Sequence, residues 1–238
     1  MKPSSTFLRF WGYVKRPVYY SSNIAVPNPL KTFWELFKVN LYSILGLFIL
    51  AFIFVLLGTL LGVEEPENQS EDDWFYVFVV IVFAPLLEEL IFRWPLRYSE
   101  NRVTIVAVIA FIVFYSELSK IEDFDKTAFW ILFFGGAVAV GVGANFFKNQ
   151  IRTFWILHFK WIYWIFGLIF GLTHLANYSG EQISFLVYWP ILCTHQIVTG
   201  LLNGYARMRY GFWYGVALHA ANNTIPAVIL IVELLTEK

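Results

Sequence analysis

Two adjacent glutamates inside an apolar run, in "APLLEELIFRWPLR" (84–97), are the first residues in this chain whose types could do chemistry. A carboxylate near the centre of a bilayer costs roughly 2.5 to 3.5 kcal/mol on insertion scales, so an ionisable group there is functional by default and its partner must be sought. Successive residues on a helix are 100° apart, whereas residues four apart nearly share a face. Glu89 and Arg93 are therefore expected to form an ion pair, and Glu88 is left over. A leftover carboxylate reached by water can serve as a general acid or base. The plainer alternative is that both glutamates join a structural network with Arg93.

Two further stretches supply polar groups at the same helical spacing. In "FGLTHLANY", Phe170 and His174 are four apart, so the phenyl ring can pack beside the imidazole and restrict its rotamer. In "LHAANNT", His219 and Asn223 share a face and can present two hydrogen-bond donors side by side, while Asn222 aligns less closely. Hydrolysing an amide without a covalent intermediate needs a base for water, donors for the developing oxyanion, and a proton for the leaving nitrogen. Glu88, His174, His219 and Asn223 are the candidates for those tasks. His158 and His195 are assigned ordinary hydrogen-bonding roles, and Cys193, the single cysteine, is read as inert packing.

The elements that must position these groups are membrane helices. The 238 residues are 58% hydrophobic and 14% charged, with a mean hydropathy of +0.61; soluble domains hold about 25% charged residues. Apolar segments run over 39–63, 74–92, 103–118, 127–147, 154–178, 183–206 and 210–235. Most can cross about 30 Å of hydrocarbon at 1.5 Å per residue. The third is short, and His158 and Lys160 push the start of the fifth towards Trp161. Pro85, Pro190 and Pro226 predict kinks, tolerated where a neighbouring helix satisfies the freed carbonyls. The sequence thus predicts an all-α polytopic transmembrane bundle of about seven spans. Residues 1–38 form a retained, amphipathic segment at the cytoplasmic membrane surface, and 39–238 form the membrane-embedded domain.

Charge placement gives the orientation. All Lys and Arg except Lys120, Lys126 and Lys238 fall before the first segment or in every second connection. By the positive-inside rule the N-terminus is cytoplasmic, provided that there are seven spans. A formal net charge of zero gives no argument for a nucleic-acid partner.

The residues resemble a known family. "EELIFR" fits an EExxxR motif, "FGLTH" an FxxxH motif and "HAANN" an HxxxN motif, in the order found in the CAAX-protease and bacteriocin-processing family (Abi or CPBP proteins, related to the eukaryotic Rce1 enzyme). The resemblance covers about 74–235. It implies an integral-membrane endopeptidase in which Glu88 activates water with help from His174, and His219 and Asn223 stabilise the oxyanion. Glu89 and Arg93 would then be structural partners. The interval from Glu88 to His174 is longer than this family leads one to expect, as if segments three and four were an added hairpin.

Three other readings belong beside this one. Glu88, His174 and His219 could provide three zinc ligands with an open position for water. Against zinc, there is no His-Glu-x-x-His helix, asparagine is a poor ligand, and no carboxylate is evident behind either histidine. The expectation is therefore no cofactor, with zinc as the alternative. Acids and histidines within spans also build carrier pathways, although no inverted repeat is visible. An inactive scaffold or immunity protein is the third reading. The expected partners are the lipid bilayer and a peptide or membrane-anchored protein substrate. In a simple seven-span arrangement Glu88 lies towards the inner end of its helix, His219 near the middle and His174 towards the outer end. Chemistry requires these depths to converge.

Overall fold

The computed structural model describes residues 6–68, 73–118 and 126–236. The fold is all-α and polytopic, and six of its helical stretches are long and apolar enough to cross a membrane. They are Pro29–Leu61, Trp74–Leu96, Phe129–Phe146, Phe159–Asn177, Gln182–Arg209 and Phe212–Thr236. The expected third span forms a helix, α5 (Glu100–Leu118), but is not among the six. Between Arg102 and Glu117 its apolar stretch reaches only about 21 Å at 1.5 Å per residue, well short of the hydrocarbon thickness.

The chain divides into two compact units, residues 1–96 with 160–238, and Arg97–Phe159. In the second unit α5 packs along α6 (Lys126–Phe146), and α7 (Lys148–Leu157) follows. A ring cluster of Phe111, Tyr115, Phe129 and Phe133 joins α5 to α6. Gly136 lets Phe111 approach the α6 backbone, since a Cβ there would collide with its ring. The Tyr98 hydroxyl donates to the Lys148 carbonyl at 2.8 Å, and Lys148 meets Glu100 at 3.4 Å. Segments three and four thus form, together with α7, a compact unit.

The first unit holds the residues of all three motifs and is built from α1 (Thr6–Lys15), α2 (Pro29–Leu61), the stretch 74–96, α8 (Phe159–Thr173), α9 (Gln182–Arg209) and α10 (Phe212–Thr236). Helix α2 starts ten residues before the expected segment because Asn28 caps it, accepting from the Lys31 N–H at 2.9 Å, with Pro29 in the first turn. It ends at Gly62, whose φ of 66° suits a left-handed cap. Many of its apolar side chains, such as Phe48 and Phe52, face outwards, as a lipid-contacting helix requires. Helix α1 instead buries Phe10, Tyr13 and Val14 against the unit. Tyr13 meets Tyr163 of α8 and Tyr205 of α9, and the Trp164 indole donates to the Val14 carbonyl.

The second span is not a plain α-helix. It runs α3 (Trp74–Phe78), a π-helical segment (Val79–Phe83), α4 (Ala84–Phe92) and a 3-10 turn (Trp94–Leu96). Pro85 explains the irregularity. It has no N–H to return to the preceding turn, and the Ala84 N–H reaches back five residues to Val79. The Val80 carbonyl is left without that donor, and the Asn223 side chain of α10 provides one at 3.0 Å. Helix α8 gives way to a 3-10 turn over His174–Asn177, after which Tyr178–Ser179 (β2) pairs antiparallel with Glu67–Asn68 (β1).

Candidate active site

Glu89 organises the buried half of the site. Its side chain is fully buried, and Arg93, one helical turn on, stands 3.3 Å from its Oε1 and is equally buried. Two more groups from other helices converge on the same oxygen. The Asn203 carboxamide of α9 donates at 3.0 Å, and His219 Nδ1 of α10 lies at 3.1 Å. A buried carboxylate in the low-dielectric interior is tolerable only with such partners. The packing is made by small residues. A Cβ on Gly215 would come within 2.7 Å of Glu89 Oε2, and one on Gly200 within 2.7 Å of Arg93 Nη2. The Arg93 guanidinium also lies 3.7 Å from the centre of the Phe170 ring, a cation–π contact.

Phe170 links this buried pair to both histidines. Its ring centre is 4.7 Å from that of His174 and 5.4 Å from that of His219, edge-to-face in each case. His174 Nδ1 donates to the Phe170 carbonyl at 2.7 Å, which leaves Nε2 facing away from its own helix. His219 Nδ1 carries its hydrogen towards Glu89, because an ionised carboxylate paired with arginine can only accept. Both Nε2 atoms face Glu88. Its Oε2 is 3.8 Å from His174 Nε2 and 3.6 Å from His219 Nε2, beyond direct hydrogen bonds. Neither Glu88 Oε2 nor His219 Nε2 has a hydrogen-bond partner within the protein.

Glu88, His174 and Asn223 line a cavity of about 550 Å³ that also receives Tyr76, Gln196 and Glu233. Asn223 uses one N–H on Val80; a carboxamide has a second. Asn222 points elsewhere. Buried in α10, it accepts from Asn40 of α2 and donates to His195 Nε2, and Thr199 completes the string by donating to Asn40. His195 therefore sits in an interhelical polar network, and exposed His158 rests against the Phe154 ring. Cys193 is a buried free thiol.

Glu88, His174 and His219, which the simple seven-span arrangement set at different depths, come together around one carboxylate oxygen.

A family model described as type II CAAX prenyl endopeptidase Rce1-like matches residues 70–225. The chain belongs to that family. No curated protein and no solved structure matches it. Membership in the Rce1-like family makes the chain an integral-membrane protein of an endopeptidase family and implies a peptide or protein substrate.

One sequence-based argument needs correcting. A carboxylate does stand behind a histidine, since Glu89 accepts from His219, so the lack of such a group is no objection to zinc. Among the described residues no group of three His, Cys, Asp or Glu side chains is placed to hold a metal ion.

The contacts that sequence reasoning missed all cross between helices. Asn203 donates to Glu89, Arg93 stacks on Phe170, and Arg207 donates to the carbonyls of Arg93 and Trp94. Only the sequence "LLNGYAR" hinted at them, by placing Asn203 and Arg207 four apart inside an apolar span.

Proposed function

We propose that this Rce1-like protein is an intramembrane endopeptidase of the glutamate type. Glu88 takes a proton from water, and His174, fixed by the Phe170 carbonyl and ring, orients that water and shares its proton. His219 and Asn223 donate to the oxyanion that forms as water adds to the amide carbon. With Nδ1–H held by Glu89, His219 donates from Nε2 when both ring nitrogens carry hydrogen. The proton taken by Glu88 then passes to the leaving nitrogen as the carbon–nitrogen bond breaks. The N-terminus lies on the cytoplasmic side in this reading. The observation that carries it is the convergence of both Nε2 atoms on Glu88 Oε2 at 3.6 and 3.8 Å, with Glu88 and His174 lining a cavity and His219 buried behind them.

The test is replacement of Glu88 by Gln, which preserves size and removes the base. Peptide cleavage by protein in proteoliposomes should fall by about 10²- to 10⁴-fold, with the thermal unfolding midpoint unchanged. Altered solute flux in a protein that never cleaves would favour the carrier reading. Chelators should leave the rate unchanged; loss restored by added zinc would overturn the metal-free chemistry.

A further inference from the structure

Among the polar groups of the cavity that the mechanism leaves unused are Gln196 and Glu233. Gln196 Oε1 is buried there and has no hydrogen-bond partner within the protein. Glu233 is the one charged residue of α10 and lines the same cavity. No lysine or arginine is among the described residues lining it; the basic side chain there is His174, which faces Glu88. The remaining walls mix apolar side chains with the Asn177, Gln196 and Asn223 carboxamides.

Glu233 lies ten residues beyond Asn223 on α10, about 15 Å along the axis at 1.5 Å per residue. An extended peptide advances about 3.3 Å per residue, so that distance spans four to five substrate residues. Building on the endopeptidase reading, we infer that the cavity takes an extended peptide whose side chain four to five residues from the scissile bond is cationic. Glu233 is the partner of that cation. Gln196 accepts a peptide N–H in between, which satisfies an acceptor that is otherwise buried and unpaired. A free C-terminal carboxylate at the same distance is repelled. Specificity therefore comes from charge at the mouth of the cavity and is independent of the groups that break the bond.

The experiment uses peptides identical except for Lys, Gln or Glu four or five residues from the cleaved bond. Binding to the Glu88→Gln protein in detergent is read by fluorescence anisotropy, and cleavage by the unaltered protein is read by mass spectrometry. The Lys peptide should bind about two- to fivefold more tightly than the Gln peptide, the range expected of a solvated ion pair, and the Glu peptide more weakly still. Combining Glu88→Gln with Glu233→Lys should reverse the order, and with Glu233→Gln should abolish the preference. Equal affinities, or an order unchanged by either substitution, would overturn the inference. Cleavage without charge preference overturns it and leaves the endopeptidase reading standing. Charge-selective binding without any cleavage upholds the cation site and removes the endopeptidase reading.

Discussion

Asn223 is the residue whose two duties are easiest to confuse. One N–H mends the Val80 carbonyl that Pro85 cannot serve, and the proposed chemistry uses the other. Asn223→Ala should therefore lower kcat by about 10²- to 10³-fold, as loss of one oxyanion donor does. It should also cost about 1 kcal/mol of stability through loss of the hydrogen bond to the Val80 carbonyl. Cleavage kinetics and unfolding in detergent measure the two effects separately; a kcat that holds while stability falls would leave only the mending role. At this scale the sequence was legible where partners lie on one helix. The four-residue spacing anticipated Glu89 with Arg93 and Phe170 with His174, and both pairs are in contact. It could not show that His219 leans on Glu89, because nothing in the spacing along one helix says which residue of another it meets.

Helix against helix, the site depends on close approach. Gly200 on α9 leaves room for both the Arg93 guanidinium and the Phe170 ring, and a Cβ there would come within 2.8 Å of either. Gly200→Ala should push Arg93 off Glu89 and tilt Phe170 away from the histidines. The expected cost is about 1 to 3 kcal/mol from overpacking, together with a loss of activity that no change at the cavity wall would explain. Unfolding midpoints and cleavage rates of the variant check this. Span positions were mostly readable from hydropathy, but the ends were not. The Asn28 cap and Pro29 start α2 well before its apolar run, since capping chemistry rather than hydropathy decides where a helix begins. The π-helical segment was foreshadowed by Pro85 only as a kink.

Among the described residues, six helices meet the length and composition needed to span a membrane where about seven were expected. The orientation drawn from charge alternation holds only if α5 also crosses, because removing one span places later basic connections on the opposite side. The N-terminal segment was expected at the membrane surface on the strength of its mixed aromatic and charged composition. Composition could not show that Phe10 is fully buried, with its ring 5.8 Å from that of Tyr205 in α9. Phe10→Ala should destabilise the fold by about 3 to 5 kcal/mol, as removal of a buried ring generally does. Leu8→Ala, at a position 61% exposed, should change little. Thermal unfolding in detergent compares the two, and equal midpoints would mean that α1 contributes no packing energy.

His219 and Asn223 both belong to α10, which a ribosome makes after the spans bearing Glu88 and His174. Under the proposed chemistry a half-made copy holds its acid and one imidazole but no oxyanion donors. Cutting power then arrives only once α10 has been made and has joined the earlier spans, so order of synthesis shields the translocation machinery and neighbouring polypeptides from premature hydrolysis.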